Sequence, residues 1–233
     1  MPFMKERTKI SPKYMLLLVF GTFIFSIVYY FVGKKFANSP LTYYQYLIFT
    51  LTLAVVIVGG YQIFFWVQRN NYFFKTRCFK TRFDDYIPFW PMMVWVYSFC
   101  YYTLIGLAVI SLQSIEQGVI LIFGGLFLLF LQSIFFLLFP STVPSNWRKY
   151  KTDSLSKLHL KFIQGIDNGR NCFPSMHCSL ATYVGLILMP FISYYALIIV
   201  LLIVVSCLFV KQHQIVDIIT GIFLGWVVYS III

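Results

Sequence analysis

Seven apolar stretches, bounded by polar or charged residues, set what this chain can fold into. They run over residues 14–32, 43–67, 92–112, 118–139, 176–190, 193–210 and 214–233. A helix of roughly 20 apolar residues crosses the about 30 Å of hydrocarbon in a bilayer. Most of the stretches approach that length, although 176–190 is short and 92–112 is rich in Tyr and Trp. With 60% hydrophobic and only 11% charged residues, the chain lies outside the range of soluble domains. In lipid every backbone polar group needs an internal partner, so the expected fold is an all-α polytopic bundle of about seven transmembrane helices.

Charge placement orders the spans, because Lys and Arg concentrate in cytoplasmic loops. If the N-terminus and the segments 68–91, 140–175 and 211–213 share one side, that side holds all of the 18 Lys and Arg residues except Lys34 and Lys35. The expected topology is therefore N-terminus inside and C-terminus outside, with 140–175 and 211–213 at the cytoplasmic face. The net charge of +11 fits positive loops facing anionic headgroups. No loop has the interleaved basic and aromatic pattern of a nucleic-acid site, so no nucleic-acid partner is expected. The first stretch follows Lys5, Arg7, Lys9 and Lys13 as a secretory signal would, but it is long and Gly33-Lys34-Lys35 is a poor cleavage site, so it reads as a retained anchor. The five cysteines form no C-x-x-C pair and read as free thiols. The chain divides into a basic tail with two anchor spans, 1–83, and a membrane domain, 84–233.

Two short polar words interrupt that second part: Phe173-Pro174-Ser175-Met176-His177 and Lys211-Gln212-His213-Gln214-Ile215-Val216-Asp217. The apolar sequence between them breaks only near Met189-Pro190-Phe191, the pattern of a helical hairpin that returns to the face it left. His177 and His213 are thus expected at one membrane surface. Pro174 stops regular structure and Ser175 is a good N-cap, which puts His177 in the first turn of a helix. Free N–H groups and the positive end of the helix dipole favour an anion there. Gly169, Arg170 and Asn171 precede it with a turn, a guanidinium and an amide. His213 and Asp217, four residues apart, fall on one helix face. A carboxylate on one imidazole nitrogen makes the other a better nucleophile or base. Lys211 adds a positive charge at the same entrance.

Other readings of these residues stand beside this one. Each histidine alone reads as a hydrogen-bonded structural group, and His213 with Asp217 as an inert helical pair. Two His and a carboxylate also form a known triad for iron or zinc, but Lys211 and Arg170 would repel a cation. No metal and no cofactor is expected.

At these positions the sequence resembles the type-2 phosphatidic acid phosphatase superfamily of membrane lipid phosphatases. Phe173-Pro174-Ser175-Met176-His177 and His213-x-x-x-Asp217 are similar to its second and third signature motifs. Asp85-Tyr86-Ile87-Pro88-Phe89-Trp90-Pro91 and Phe139-Pro140-Ser141 resemble the branch of inositol phosphorylceramide synthase and sphingomyelin synthase. The resemblance covers roughly residues 84–229 and implies a six-helix core, here with one added span. It implies that His213 attacks phosphorus, Asp217 orients it, and His177 protonates the departing alkoxide. Ser175 matches a phosphate-contacting position. A phosphohistidine would pass to water in a phosphatase, or to a lipid hydroxyl in a headgroup transferase. The partners so implied are membrane lipids with phosphorylated headgroups.

The chain also departs from the family pattern. It contains no Arg-Pro, Pro144-Ser145-Asn146 stands where the branch often has Pro-Arg-Pro, and Ser206-Cys207 stands where the third motif usually opens Ser-Arg. Arg170, Lys211, Arg148 and Lys149 are the candidates to replace the two missing arginines, although Lys is a point charge where Arg is a bidentate fork. The alternative function is a non-catalytic membrane protein of the same fold, a transporter or lipid-binding scaffold. Between Ser154 and Ile166, apolar Leu155, Leu158, Phe162, Ile163 and Ile166 recur at helical spacing. That segment reads either as a helix lying in the interface and guiding headgroups toward His177, or as a basic loop that fixes topology.

Overall fold

The computed structural model describes residues 12–71, 73–167 and 169–233. The basic N-terminal residues Lys5, Arg7 and Lys9 lie outside them. Among the described residues the protein is all-α: α1 (Pro12–Phe36), α2 (Tyr43–Asn70), α3 (Phe83–Tyr86), α4 (Val94–Ile110), α5 (Ile115–Leu138), α6 (Leu155–Ile166), α7 (Met176–Ile192), α8 (Tyr195–Phe209) and α9 (Ile215–Ile232).

Five of the helical segments are long and apolar enough to cross a membrane: Val19–Phe36, Tyr43–Asn70, Pro91–Ile110, Ile115–Leu138 and Ile215–Ile232. The remaining two apolar helices, α7 and α8, have 17 and 15 residues. At 1.5 Å per residue they are about 25 and 22 Å long. The hairpin expected from the sequence is present, but α7 runs on through Pro190 to Ile192. Proline so near a C-terminus removes a single helical bond with little helix left to disrupt. Ser193, at φ 52°, then turns the chain, its N–H donating to Met189 O.

Caps set the helix starts. Thr42 and Gln45 form a capping box at α2, and Ser114, Ser154 and Ser175 accept N–H bonds at α5, α6 and α7. Lipid supplies no hydrophobic force between helices, so contact depends on close backbone approach at small residues. Gly221 and Gly225, four apart on α9, do this against α7: a Cβ on either would collide with the carbonyl oxygen of Ser175 or Ser179. Gly124 of α5 makes room for Tyr183 of α7, whose hydroxyl donates to Ile120 O at 2.6 Å. Gln132 Nε2 donates to Ser179 Oγ at 2.7 Å in the buried α5–α7 seam. α7 is therefore the central helix, held by α4, α5, α8 and α9, while α1 packs mainly on α2 and turns Phe20, Phe25 and Phe31 outward.

α6 leaves an apolar edge of Leu155, Leu158, Phe162 and Ile166 exposed, as a helix facing lipid requires. Its other side docks on α4. The His159 ring stacks on Trp95 with centroids 4.7 Å apart, and Trp95 Nε1 donates to Ser156 Oγ at 2.9 Å.

Candidate active site

The two polar words meet where α7 and α9 begin. Ser175 N donates to Asp217 O at 2.8 Å, so the start of one helix is bonded to the first turn of the other. Ser175 Oγ accepts from Cys178 N, which orders the first turn that carries His177. The Phe173–Pro174 peptide bond just before it is cis. At the end of α8, Lys211 takes a left-handed conformation, φ 56°, and Gln212 N returns to Cys207 O. That reversal presents His213. The ring centroids of His177 and His213 lie 6.2 Å apart.

His213 Nδ1 lies 3.1 Å from Cys172 O and 3.7 Å from Asp217 Oδ2. A carbonyl only accepts, so Nδ1 carries the proton and the neutral ring keeps its lone pair on Nε2. Burial works against the charged imidazolium, but the charge of the Asp217 carboxylate, 3.7 Å from Nδ1, outweighs it and holds the His213 pKa above its ordinary value. Asp217 is itself fully buried. Its Oδ2 accepts from Gln214 N at 2.9 Å as part of the α9 cap, and its Oδ1 has no hydrogen-bond partner. The carboxylate thus both caps its helix and faces the imidazole.

His177 stands in different surroundings. Its ring stacks on Tyr97 at 4.4 Å and meets Tyr101 at 5.1 Å. The Tyr97 hydroxyl is 3.5 Å from His177 Nδ1.

Both histidines line a cavity of about 460 Å³, within the usual range for a small-molecule site. α2 contributes Tyr61, Phe64 and Phe65, α4 contributes Tyr97 to Tyr102 except Cys100, and α6 contributes His159, Ile163 and Ile166. Asn171 is in the wall, with Nδ2 donating to Phe64 O and a buried Oδ1 that has no hydrogen-bond partner. Ser175, Lys211 and Arg170 are not. Lys211 Nζ donates to Asp84 O at 2.9 Å and sits 4.5 Å from the Trp147 ring centre. Arg170 donates to Asn71 O and Thr76 Oγ1. Among the described residues no Lys or Arg lines the cavity. Arg148 comes to its edge, donating to Asp167 O at 2.9 Å and reaching Gln212 Oε1 at 3.4 Å, both wall residues. Gly169, at φ 71°, makes room for that guanidinium, which a Cβ would strike. No group of three or more His, Cys, Asp or Glu among the described residues could hold a metal ion.

Asp84 and His159 are among the site residues that escaped the sequence reading. Asp84 is fully buried, and its Oδ1 accepts from Ile215 N at 2.9 Å, capping α9 from outside the helix. The acidic pair Asp84-Asp85 in an otherwise basic loop was the available signal. His159, the third histidine, lines the cavity and contacts Ser98 Oγ at 3.1 Å. It falls among the apolar positions of an amphipathic segment, and nothing in its local sequence marks it.

A model of the PAP2 superfamily matches residues 62–231, most of the chain. The chain belongs to the PAP2 superfamily. No curated protein matches it, and no solved structure does. PAP2 members are generally phosphoric ester hydrolases or phosphotransferases, and membership supports a phosphatase-like function on lipids. The five long apolar helices go with an integral membrane protein, as PAP2 membership does.

Proposed function

We propose that this protein cleaves or transfers the phosphorylated headgroup of a membrane lipid through a phosphohistidine on His213. The observation that carries the reading is the pair of imidazoles on one cavity wall, 6.2 Å apart, with Nδ1 of His213 held by Cys172 O. Nε2 of His213 attacks phosphorus, and the bond from phosphorus to the ester oxygen breaks as His177 gives that oxygen its proton. His177 then takes a proton from water or from a second lipid's hydroxyl, whose oxygen displaces His213. Asp217 and the Cys172 carbonyl hold the attacking tautomer and favour the charge that His213 gains.

Phosphate oxygens meet the first-turn N–H groups of Met176 and His177, which have no helical acceptor. In this reading Asn171 contacts the phosphate directly, Ser175 orders the turn, and Lys211 and Arg170 add positive potential from behind the wall. Arg148 is the guanidinium to move in when an anion is bound. The loops carrying both motifs face the cytoplasm by their positive charge. The branch is that of inositol phosphorylceramide and sphingomyelin synthases. Residues 1–83 are the anchoring part, whose second helix α2 also walls the cavity, and residues 84–233 the phosphatase-like domain.

One observation favours a second reading, a non-catalytic lipid-binding scaffold: among the described residues the cavity wall holds no Lys or Arg. The two are separated by phosphate release and headgroup exchange in mixed micelles, with wild type beside His213→Ala and His177→Ala. Turnover by wild type, lost in both variants, and an acid-labile phosphate on His213 during turnover support the enzyme. A folded wild type that turns over no lipid in a broad panel supports the scaffold.

A further inference from the structure

A second, smaller cavity of about 70 Å³ opens beneath the first, between α2, α5 and α7. The two share Tyr61, Tyr101 and Met176 as wall residues, so they adjoin along those three side chains. Below those three the lining is aliphatic side chains and glycine, among them Val56, Gly60, Gly125 and Leu180. A bound water needs two to four polar partners, and that surface offers none. From Met176 to Val184 along α7 the lining descends about 12 Å at 1.5 Å per residue. One leaflet contributes about 15 Å of hydrocarbon. Deeper still, the Phe49 ring fills the notch left by Gly118, where a Cβ would strike it, and closes the seam.

We infer that this groove is a subsite for one acyl chain of the lipid whose phosphate reaches His213, with Phe49 as its floor. The inference rests on the lipid-substrate reading above. Adjacency to the histidine cavity points to the occupant, because a lipid placed with its phosphate at His177 and His213 has this apolar space next to it for one chain. The dry wall and the depth fit a hydrocarbon chain, and the small volume fits the end of one chain. Leu53, Val56, Ile57, Gly60 and Tyr61 of α2 form one side and precede residue 62, where the superfamily match begins.

Gly125→Leu fills the groove with little disturbance, since a Cβ there meets only Leu180 Cδ1, at 4.0 Å. The test uses purified protein in mixed micelles with dihexanoyl and dioleoyl phosphatidic acid, and a phosphatidic acid carrying a diazirine near the end of one long chain. The expected result is that Gly125→Leu lowers dioleoyl turnover at least about tenfold, the loss of roughly two buried methylenes, and leaves dihexanoyl turnover unchanged. The diazirine should label α2 and α5 in wild type and in His213→Ala, and lose that label in Gly125→Leu. Phe49→Ala, if it folds, should shift preference toward longer chains. Label confined to the outer surfaces of the bundle, or equal effects of Gly125→Leu on both chain lengths, would overturn the subsite. Label on α2 and α5 in a wild type that turns over neither lipid supports the subsite and removes the phosphohistidine reading.

Discussion

The two histidines share a cavity yet are held by opposite means. His213 is fixed through a hydrogen-bond acceptor, the Cys172 carbonyl at 3.1 Å, with the Asp217 carboxylate facing the same nitrogen at 3.7 Å. His177 is held mainly through ring contacts, stacked on Tyr97 and tilted against Tyr101, with the Tyr97 hydroxyl 3.5 Å from its Nδ1. An acceptor chooses which nitrogen carries the proton, whereas a stacked ring positions the imidazole and leaves its protons to the reaction. The first suits a nucleophile, and the second suits a group that must give and take a proton within one cycle.

The sharpest way to break this comparison is to remove each ring. His213→Ala should lower turnover by more than about 10⁴-fold, because no covalent intermediate can form. His177→Ala should cost about 10²- to 10⁴-fold, the usual range for a general acid and base, and a leaving group that needs no proton should restore much of it. Equal losses on such an activated substrate would show that the two rings do not divide the work.

Asp217→Asn probes the acceptor side alone. Cys172 O still holds Nδ1–H, so the loss should be about 10- to 100-fold, as for other supporting partners. The wild-type rate should fall on the acid side through a pKa above the ordinary histidine value of about 6.5, since the proton must leave Nε2 before attack. The amide introduced by Asp217→Asn lacks the charge that raises that pKa, so the acid limb should move to lower pH. A pH profile unchanged by the substitution would mean that Asp217 serves only as a cap. The smallest effects are expected in the frame. Gly225→Leu should destabilise the α7–α9 seam by about 1–3 kcal/mol, and Asp84→Ala should cost about 1 kcal/mol through the lost α9 cap. Thermal unfolding in detergent measures both.

The sequence made part of this site legible because membranes penalise polar groups, so the words around His177 and His213 stand out against the apolar background. The spans were readable for the same reason, and Ser175 as a cap from its place after Pro174. What stayed hidden depends on contacts between distant segments. Cys172 acts through its backbone, which has no residue signature. Asp84 reaches Ile215 across most of the chain. The basic residues illustrate the limit best: Lys211 and Arg170 lie close to the motifs in sequence, yet their side chains turn to Asp84, Asn71 and Thr76, while Arg148 reaches the cavity's edge. Gly221 and Gly225 stand four apart in the sequence without marking a seam, and only the packed α7 backbone shows what the spacing is for.

The bond from Ser175 N to Asp217 O makes the wall that carries both histidines a single mount. With α9 glycines seated on the α7 backbone, the two imidazoles cannot separate without breaking that joint. On the opposite wall α2 and α4 are tied by the Tyr61 and Tyr102 hydroxyls, 2.7 Å apart. A molecule built this way sets the spacing of the two helix starts beside its imidazoles through backbone, where no side-chain rotation can change it.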